Sequence, residues 1–317
     1  MSALSRRSFL AAGAGLLAGN CIRAAQARPF FERTGLPLGL QLYTVREDLK
    51  KDFDGTLNAI SHIGYKTVEL AGLQDRSPED WREALAHAGL RCPSAHVPAR
   101  SSGPEASLSG DLALLADQAH TIGIDTLVCP MIDIPERFSL KSAPEESFGD
   151  MLARIAAAMT AEDWKANADF LNAKGAALNR LGLHLAYHNH NFEFAPLAGS
   201  TGFDLLLRGT DPALVSFQMD AGWVVAAGAD PAALLKKYPK RFTAMHVKDV
   251  KASTRPNFRL QQDSCEVGRG MIDWKTLLPA AYAAGVRQFY VEQESPFSNP
   301  PLEAVAISFK YLHTLAA

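Results

Sequence analysis

Eight strand-like segments alternating with helix-like segments predict an α/β protein built as one single-domain (β/α)8 barrel. Two further observations support that fold class. Residue types that bind metals recur at the C-terminal ends of the predicted strands, where barrel enzymes place their chemistry. The turn after the first predicted strand, Tyr43-Thr44-Val45-Arg46, carries no glycine-rich fingerprint of the kind a doubly wound nucleotide-binding sheet shows there. No stretch reads as a linker long enough to divide the chain.

The first 27 residues stand apart. Ser5-Arg6-Arg7-Ser8-Phe9-Leu10 is followed by an apolar run from Ala11 to Ala18 and then by Ala25-Gln26-Ala27. A charged start, a short apolar segment and a small-x-small cleavage site make an export signal. The paired arginines before Phe-Leu resemble the twin-arginine type. The expected division is 1–27 signal and 28–317 barrel. The apolar run is too short to span a bilayer, so no stable membrane insertion is expected after cleavage. The expected location is periplasmic or secreted, after passage through the twin-arginine export machinery.

The barrel elements follow in order. Leu38–Tyr43 reads as the first strand, with a helical pattern from Glu47 to Ile63 that stops at Gly64. A second strand at Tyr65–Leu70 precedes a helix at Pro78–Ala88. The third strand is Leu90–Val97, followed by a helix at Leu108–Ile122, and the fourth is Thr126–Cys129. A long helical tract covers Ser147–Leu181, with breaks expected at its Asn-Ala-Lys-Gly and Leu-Gly interruptions. His184–His188, Val215–Met219, Phe242–Val247 and Phe289–Glu292 are strands five to eight. Helices are expected at Phe203–Arg208, Pro231–Tyr238, Trp274–Ala284 and Leu302–Leu315. The irregular stretches 132–146 and 248–272 each follow a strand and read as loops of the active face.

Composition narrows the function. Of 317 residues 47% are hydrophobic, which excludes a disordered chain, and the net charge of −2 shows no basic excess for nucleic acid. Removing the signal's three arginines takes that charge to −5. Three cysteines remain, Cys92, Cys129 and Cys265; an odd count with two in strands reads as buried small side chains rather than a disulfide framework.

The strand ends carry the chemistry. The second ends Val68-Glu69-Leu70, the third Ala95-His96-Val97 and the fifth Tyr187-His188-Asn189-His190-Asn191. The sixth ends Met219-Asp220-Ala221-Gly222-Trp223, the seventh His246-Val247-Lys248-Asp249 and the eighth Val291-Glu292-Gln293-Glu294. Most strand ends carry loop residues, so six of eight ending this way marks one functional face. Strand alternation sends His188 and His190 to the same side, so either can bind metal while the other meets substrate. Asp220 follows the apolar approach Val215-Ser216-Phe217 and can cap the next turn. A buried carboxylate there is costly without a cation, which favours a ligand role.

These segments, with Leu40-Gln41-Leu42-Tyr43-Thr44, Gly64-Tyr65-Lys66-Thr67-Val68-Glu69 and Val267-Gly268-Arg269-Gly270-Met271-Ile272-Asp273, resemble the xylose-isomerase-like TIM-barrel superfamily of sugar isomerases, sugar epimerases and inosose dehydratases. The resemblance covers nearly the whole chain after the signal. It implies one divalent cation held by His188, Asp220, His246 and Glu292. The first departs from the pattern, since epimerases of the family have glutamate at the fifth-strand position and use two strand-end glutamates as paired acid and base. Glu193 can supply the missing carboxylate if the chain turns back over the site.

A divalent cation bound to a carbonyl and its neighbouring hydroxyl acidifies the C–H between them and stabilises the enediolate that forms. Glu292, Glu69, His96 and Lys248 are the acid and base candidates. Tyr43, Trp223 and Phe192 are candidates for an apolar wall under a sugar ring, and His190 and Glu193 for polar contacts to substrate. A mixed His/Asp/His/Glu sphere suits Mn, Co, Zn or Fe better than Mg. Export and the lack of a phosphate-cradling loop point to a neutral sugar or keto-sugar as the small-molecule partner. The expected activity is that of a metal-dependent isomerase or epimerase. The alternatives are a lyase or dehydratase on a keto-sugar or keto-inositol, and a non-catalytic carbohydrate-binding barrel. An oligomer is compatible with the sequence; a nucleic-acid nuclease is disfavoured by the acidic charge.

Overall fold

A computed structural model describes residues 28–317 except 73–75, 102, 104–105 and 141–144; the expected export signal at 1–27 lies outside the described residues. Eight parallel strands close into a barrel. They are β1 Leu38–Gln41, β2 Thr67–Leu70, β3 Arg91–His96, β4 Thr126–Cys129, β5 His184–His188, β6 Val215–Asp220, β7 Phe242–Val247 and β8 Gln288–Val291. Each pairs in parallel with its sequence neighbours, and β1 closes the ring on β8 through Leu38–Phe289, Gly39–Tyr290 and Leu40–Val291. The closed ring excludes a doubly wound sheet. Every strand therefore delivers its last residues to the same face.

Twelve helices surround the barrel among the described residues: α1 Phe30–Thr34, α2 Arg46–Lys51, α3 Phe53–Ile63, α4 Pro78–Ala88, α5 Leu112–Ile122, α6 Phe148–Ala158, α7 Ala161–Arg180, α8 Gly202–Gly209, α9 Ala221–Ala226, α10 Pro231–Lys237, α11 Trp274–Ala284 and α12 Pro301–Thr314. The expected limits of α4, α11, β4, β5 and β7 match, and most other ends differ by one or two residues. Three differences have clear causes. The pattern from Glu47 to Ile63 is two helices, because the Asp52 side chain accepts from the Gly55 N–H and starts α3 afresh. The tract from Ser147 to Leu181 breaks at Met159-Thr160, where Thr160 and Asp163 form a capping box. The Asn-Ala-Lys-Gly stretch does not break it: Gly175 lies inside α7, where a Cβ would stand 2.4 Å from the Leu214 carbonyl oxygen. That glycine is kept for close packing rather than for a turn.

Helix α1 has no counterpart in the sequence reading. It lays Phe30 and Phe31 edge-on against Phe289, with ring centroids 5.7 and 5.8 Å away, at the start of β8. The Phe30 N–H donates to the Leu315 carbonyl at 2.8 Å, which ties the two ends of the barrel chain together. This aromatic cluster packs where β1 and β8 begin, away from the strand ends that carry the polar residues. The loop after β7 is not wholly irregular, since Asp249–Val250 pairs antiparallel with Ser264–Cys265. Cys92, Cys129 and Cys265 are free and buried, as small core side chains.

Truncating Phe30 to alanine should destabilise the barrel by roughly 3–5 kcal/mol, the usual cost of emptying a buried aromatic site. Urea unfolding checks this, and a loss under 1 kcal/mol would mean that α1 is a passive extension.

Candidate functional site

The site is built upward from Glu69. This residue of β2 is fully buried inside the barrel and receives donors from four other strands. Gln41 of β1 donates from Nε2 at 2.7 Å, Ser94 of β3 donates from its hydroxyl, and Gln218 of β6 donates from Nε2 at 2.7 Å. His246 of β7 brings Nε2 to 2.7 Å and His96 of β3 brings Nε2 to 3.2 Å. Burial disfavours the carboxylate, but His96 and His246 more than offset it and hold Glu69 well below the usual carboxyl range. With every lone pair engaged and no exposure, Glu69 serves as an anchor under the site rather than as an acid or base that touches substrate.

The anchor orients the layer above it. Because Gln218 spends its amide N–H on Glu69, its Oε1 accepts from His188 Nδ1 at 2.9 Å and from His96 Nε2 at 3.0 Å. His188 is thereby left with a bare Nε2, which lies 4.0 Å from Asp220 Oδ2. Burial keeps His188 neutral by pushing its pKa well down. His246 likewise faces Glu69 with Nε2 and turns Nδ1 outward, 3.0 Å from Glu292 Oε2 and 3.8 Å from Asp220 Oδ2. Asp220 splits its carboxylate: Oδ1 caps α9 by accepting from the Trp223 N–H at 2.8 Å, while Oδ2 points into the site. The turn-capping and ligand readings of Asp220 thus use different oxygens.

Asp220, His246 and Glu292 form one group able to hold a cation, and His96, His188 and His246 form another. The second is already knitted together by hydrogen bonds through Gln218 and Glu69. The first meets the chemical test for a metal. Bonds of about 2.0–2.2 Å to N and O ligands place neighbouring ligand atoms roughly 3.0–3.6 Å apart, close to the separations present here. A second carboxylate behind a ligating histidine is the usual outer-shell arrangement, which Glu69 supplies to His246. Asp220 Oδ2 is buried without a well-formed hydrogen bond, an oxygen suited to a cation.

Lys248 occupies the centre of this carboxylate set. Its fully buried ammonium lies 2.9 Å from Asp220 Oδ2, 2.7 Å from Glu292 Oε2 and 2.5 Å from Glu294 Oε1. The contact to Asp220 is electrostatic, since its angle is wrong for a hydrogen bond. Burial opposes the ammonium, but the three carboxylates raise its pKa well above the lysine range. Burial opposes ionisation of Asp220 and Glu292, but Lys248 and His246 together hold Asp220 down at about 2 and Glu292 well below the usual carboxylate range. Glu294, in contrast, is pushed up, chiefly by burial. Gly222 makes room for the lysine, because a Cβ there would stand 2.7 Å from Lys248 Cγ. Glu294 was not singled out in the sequence, although its spacing of two from Glu292 places it on the same side of an extended chain.

A cavity of about 1370 Å³ opens over these groups; Tyr43, His96, His188, His190, Trp223, Glu292 and Glu294 contribute to its wall. His190 packs against His188 and Trp223 with ring centroids 4.9 and 5.8 Å apart, and burial lowers its pKa to about 3. Its buried Nδ1 has no hydrogen-bond partner. Two expected residues stand elsewhere. Phe192 is a fully buried core side chain beneath His190 rather than part of a substrate wall. Glu193 does not turn back over the site: it is buried behind His190, accepting from the Tyr187 hydroxyl and the His190 N–H, each at 2.9 Å.

The comparisons agree with this architecture. A family model described as a xylose isomerase-like TIM barrel matches residues 57–315. An inosose dehydratase of Geobacillus kaustophilus is 27% identical over 213 residues, 66% of this chain and 66% of that protein. An inosose dehydratase of Bacillus anthracis is 38% identical over 92 residues; the chain spans 30% of the length of that relative, and the match covers 29% of this chain. Two solved structures share the fold. A sugar phosphate isomerase/epimerase from Parabacteroides distasonis has TM-score 0.68 at 24% identity, covering 89% of this chain and 94% of that chain. The IolI protein with a bound zinc atom has TM-score 0.62 at 16% identity, covering 89% of this chain and 98% of that one.

The buried Glu193 makes a pH-dependent contribution to stability. Burial raises its pKa from 4.5 to about 8, so the folded state holds its proton more tightly than the unfolded chain. That contribution is complete below about pH 4.5 and is lost as the pH rises to about 8. Glu193→Gln, which mimics the neutral acid, should gain on the native protein by a few kcal/mol between pH 5 and pH 8.5 in urea unfolding. An unchanged gap across that range would mean that Glu193 is ionised in its pocket.

Proposed function

The chain belongs to the xylose isomerase-like TIM barrel family, and from that premise we propose that it is a divalent-metal-dependent enzyme that takes the proton next to the carbonyl of a neutral sugar ketone or cyclitol ketone. The observation that carries this reading is the convergence of Asp220 Oδ2, His246 Nδ1 and Glu292 Oε2 on one point, with His188 beside them. These residues fit a cation such as Zn, Mn, Co or Fe(II), given two imidazoles among the donors. A cation there polarises a carbonyl and stabilises the negative charge left when the adjacent C–H loses its proton. His188 rather than His190 is the fourth ligand, because its other nitrogen is fixed by Gln218.

The chain's own groups then decide the outcome. Glu294 is the carboxylate on the cavity wall that the ligand set does not use, so we assign it as the base. Lys248 holds it from behind and balances its charge. A proton taken by Glu294 leaves from the same face, either to a departing β-hydroxyl, giving an unsaturated ketone and water, or to the former carbonyl carbon while the adjacent hydroxyl proton passes to the former carbonyl oxygen, giving an isomer. Epimerisation needs a second base on the opposite face. Glu193, offered for that role by the sequence, faces away from the cavity. Same-face chemistry supports dehydration, which is also the activity named for the inosose dehydratases among its relatives. Isomerisation is the second reading, supported by the same Glu294–Lys248 pair. The proposal retains export through the Arg6-Arg7 signal, which would deliver the folded barrel to the periplasm.

Incubating the Zn- or Mn-loaded protein with inosose and neutral keto-sugars in D2O tests the reading. Ultraviolet absorption of an unsaturated ketone is expected for dehydration, and a chromatographically distinct isomer, with or without deuterium, for isomerisation. Neither signal with any substrate would count against proton abstraction altogether. Asp220→Ala should lose both bound metal and turnover; activity retained in that variant would place the site elsewhere. Lys248→Met removes the internal cation from three carboxylates. It should bind Zn at least tenfold more tightly in a chelator competition and lower the Tm of the metal-free protein. Weaker Zn binding would show that Lys248 supports the metal instead of opposing it.

A further inference from the structure

We infer that the cavity contains a second, apolar subsite, walled by Phe148 and by Leu260 on the loop held to Asn191, that receives an aryl-sized apolar group carried by the substrate. The inference rests on the sugar or cyclitol reading of the polar part of the cavity.

Size is the first observation. Ligand pockets usually enclose about 300–1,000 Å³, and this cavity of about 1370 Å³ exceeds what a single sugar ring needs. Surface chemistry is the second. The large hydrophobic side chains left exposed among the described residues are Tyr43, Leu114, Leu140, Phe148 and Met271, and three of the five line this one cavity: Tyr43, Leu114 and Phe148. Exposed apolar side chains gathered at a cavity mark a binding surface more than chance solvent exposure does. A free polyol has no group to satisfy them.

Backbone geometry is the third. Leu260 lines the same cavity with φ of 54°, a left-handed conformation that bulky L-residues seldom adopt. Its neighbours impose it. The Leu260 N–H donates to Asn191 Oδ1 at 3.1 Å, and the Arg259 N–H donates to Asn257 Oδ1 at 2.9 Å. Asn191 in turn donates from Nδ2 to the Asn257 carbonyl and Oδ1. Asn191 directly follows His190, so the loop carrying Leu260 is bolted to the chain that carries a histidine of the site. Helix α6 begins against this loop: a Cβ on Gly149 would stand 1.9 Å from the Arg259 carbonyl oxygen and 3.4 Å from Leu260 Cβ, so only glycine lets the start of α6, with Phe148, pack this closely on the Leu260 loop. The charge on the adjoining Arg259 is paired with Asp150 at 2.7 Å. Strain held in place to present an apolar side chain at a cavity is the pattern of a specificity element. The surface it makes suits an uncharged, flat apolar group.

Calorimetric titration of the Zn-loaded protein with methyl β-D-glucopyranoside and 2-naphthyl β-D-glucopyranoside tests the subsite without requiring turnover. The naphthyl compound should bind at least tenfold more tightly than the methyl one. Phe148→Ser changes a side chain that is mostly exposed, and Leu260→Asn keeps a residue that tolerates the left-handed conformation, so both should fold. In each, the naphthyl advantage should fall below threefold. Equal binding of the two probes to the native protein, an advantage kept in both variants, or no binding of either probe would overturn the subsite. Inosose turnover together with equal probe binding overturns the subsite and leaves the proposed function standing. A naphthyl preference in a protein that turns over no ketone does the reverse.

Discussion

Everything at the mouth of this barrel depends on one buried carboxylate. Glu69 has no exposure, and a charge in that position is tolerable only if its lone pairs are fully engaged. Four donors, one each from β1, β3, β6 and β7, engage it, and His96 Nε2 lies 3.2 Å away. The constraint passes upward. Gln218 has its amide orientation set by Glu69, His188 has its tautomer set by Gln218, and His246 has its outward nitrogen set by Glu69 itself. Loss of the anchor would leave Gln218 and two side chains of the candidate metal centre, His188 and His246, without orientation, although Glu69 touches none of the space above them.

Charge at the next layer is balanced just as closely. Asp220, Glu292 and Glu294 converge within reach of one ammonium, and that ammonium is the only fully buried lysine or arginine among the described residues. Lys248 therefore plays a cation's part within the ligand set. Its place is secured by Asp249, whose carboxylate accepts from the N–H groups of Val250, Gly268, Gly270 and Ile272 and from the Trp274 indole. This buried knot gathers the segment after β7 around Asp249 and explains how a long stretch with little regular structure still holds Lys248 in register.

The polar and apolar halves of the fold are separated along the barrel axis. Phe30 and Phe31 pack with Phe289 where the strands begin. The ionisable residues gather where they end. Parallel strands make that separation automatic, since all eight run the same way and all C-terminal ends share one face. Chemistry can then be placed at the mouth without interrupting the hydrophobic core that stabilises the rest.

Periodicity made the fold class legible, because strand and helix periods differ and eight alternations leave few architectures. The location of the site was legible for the same reason: Glu69, His96, His188, Asp220, His246 and Glu292 are all strand-end residues, and a closed parallel barrel must bring strand ends together. Roles were another matter. Glu69 looked equivalent to Glu292 in one dimension, and only closure of the ring put it a layer lower, surrounded by donors. Glu193 lay five residues past His188 and invited a place over the cavity; the short helical turn at Phe192–Phe194 carried it behind His190 instead. Glu294 and Gln218 lie in the strand-end segments but were given no role of their own, since a glutamate in a loop and a glutamine in a strand are ordinary until partners approach from other strands. Local sequence thus determined which residues reach the mouth of the barrel. Their depth, tautomers and charge partners were decided by contacts between strands distant in the chain, and those exist only once the barrel closes.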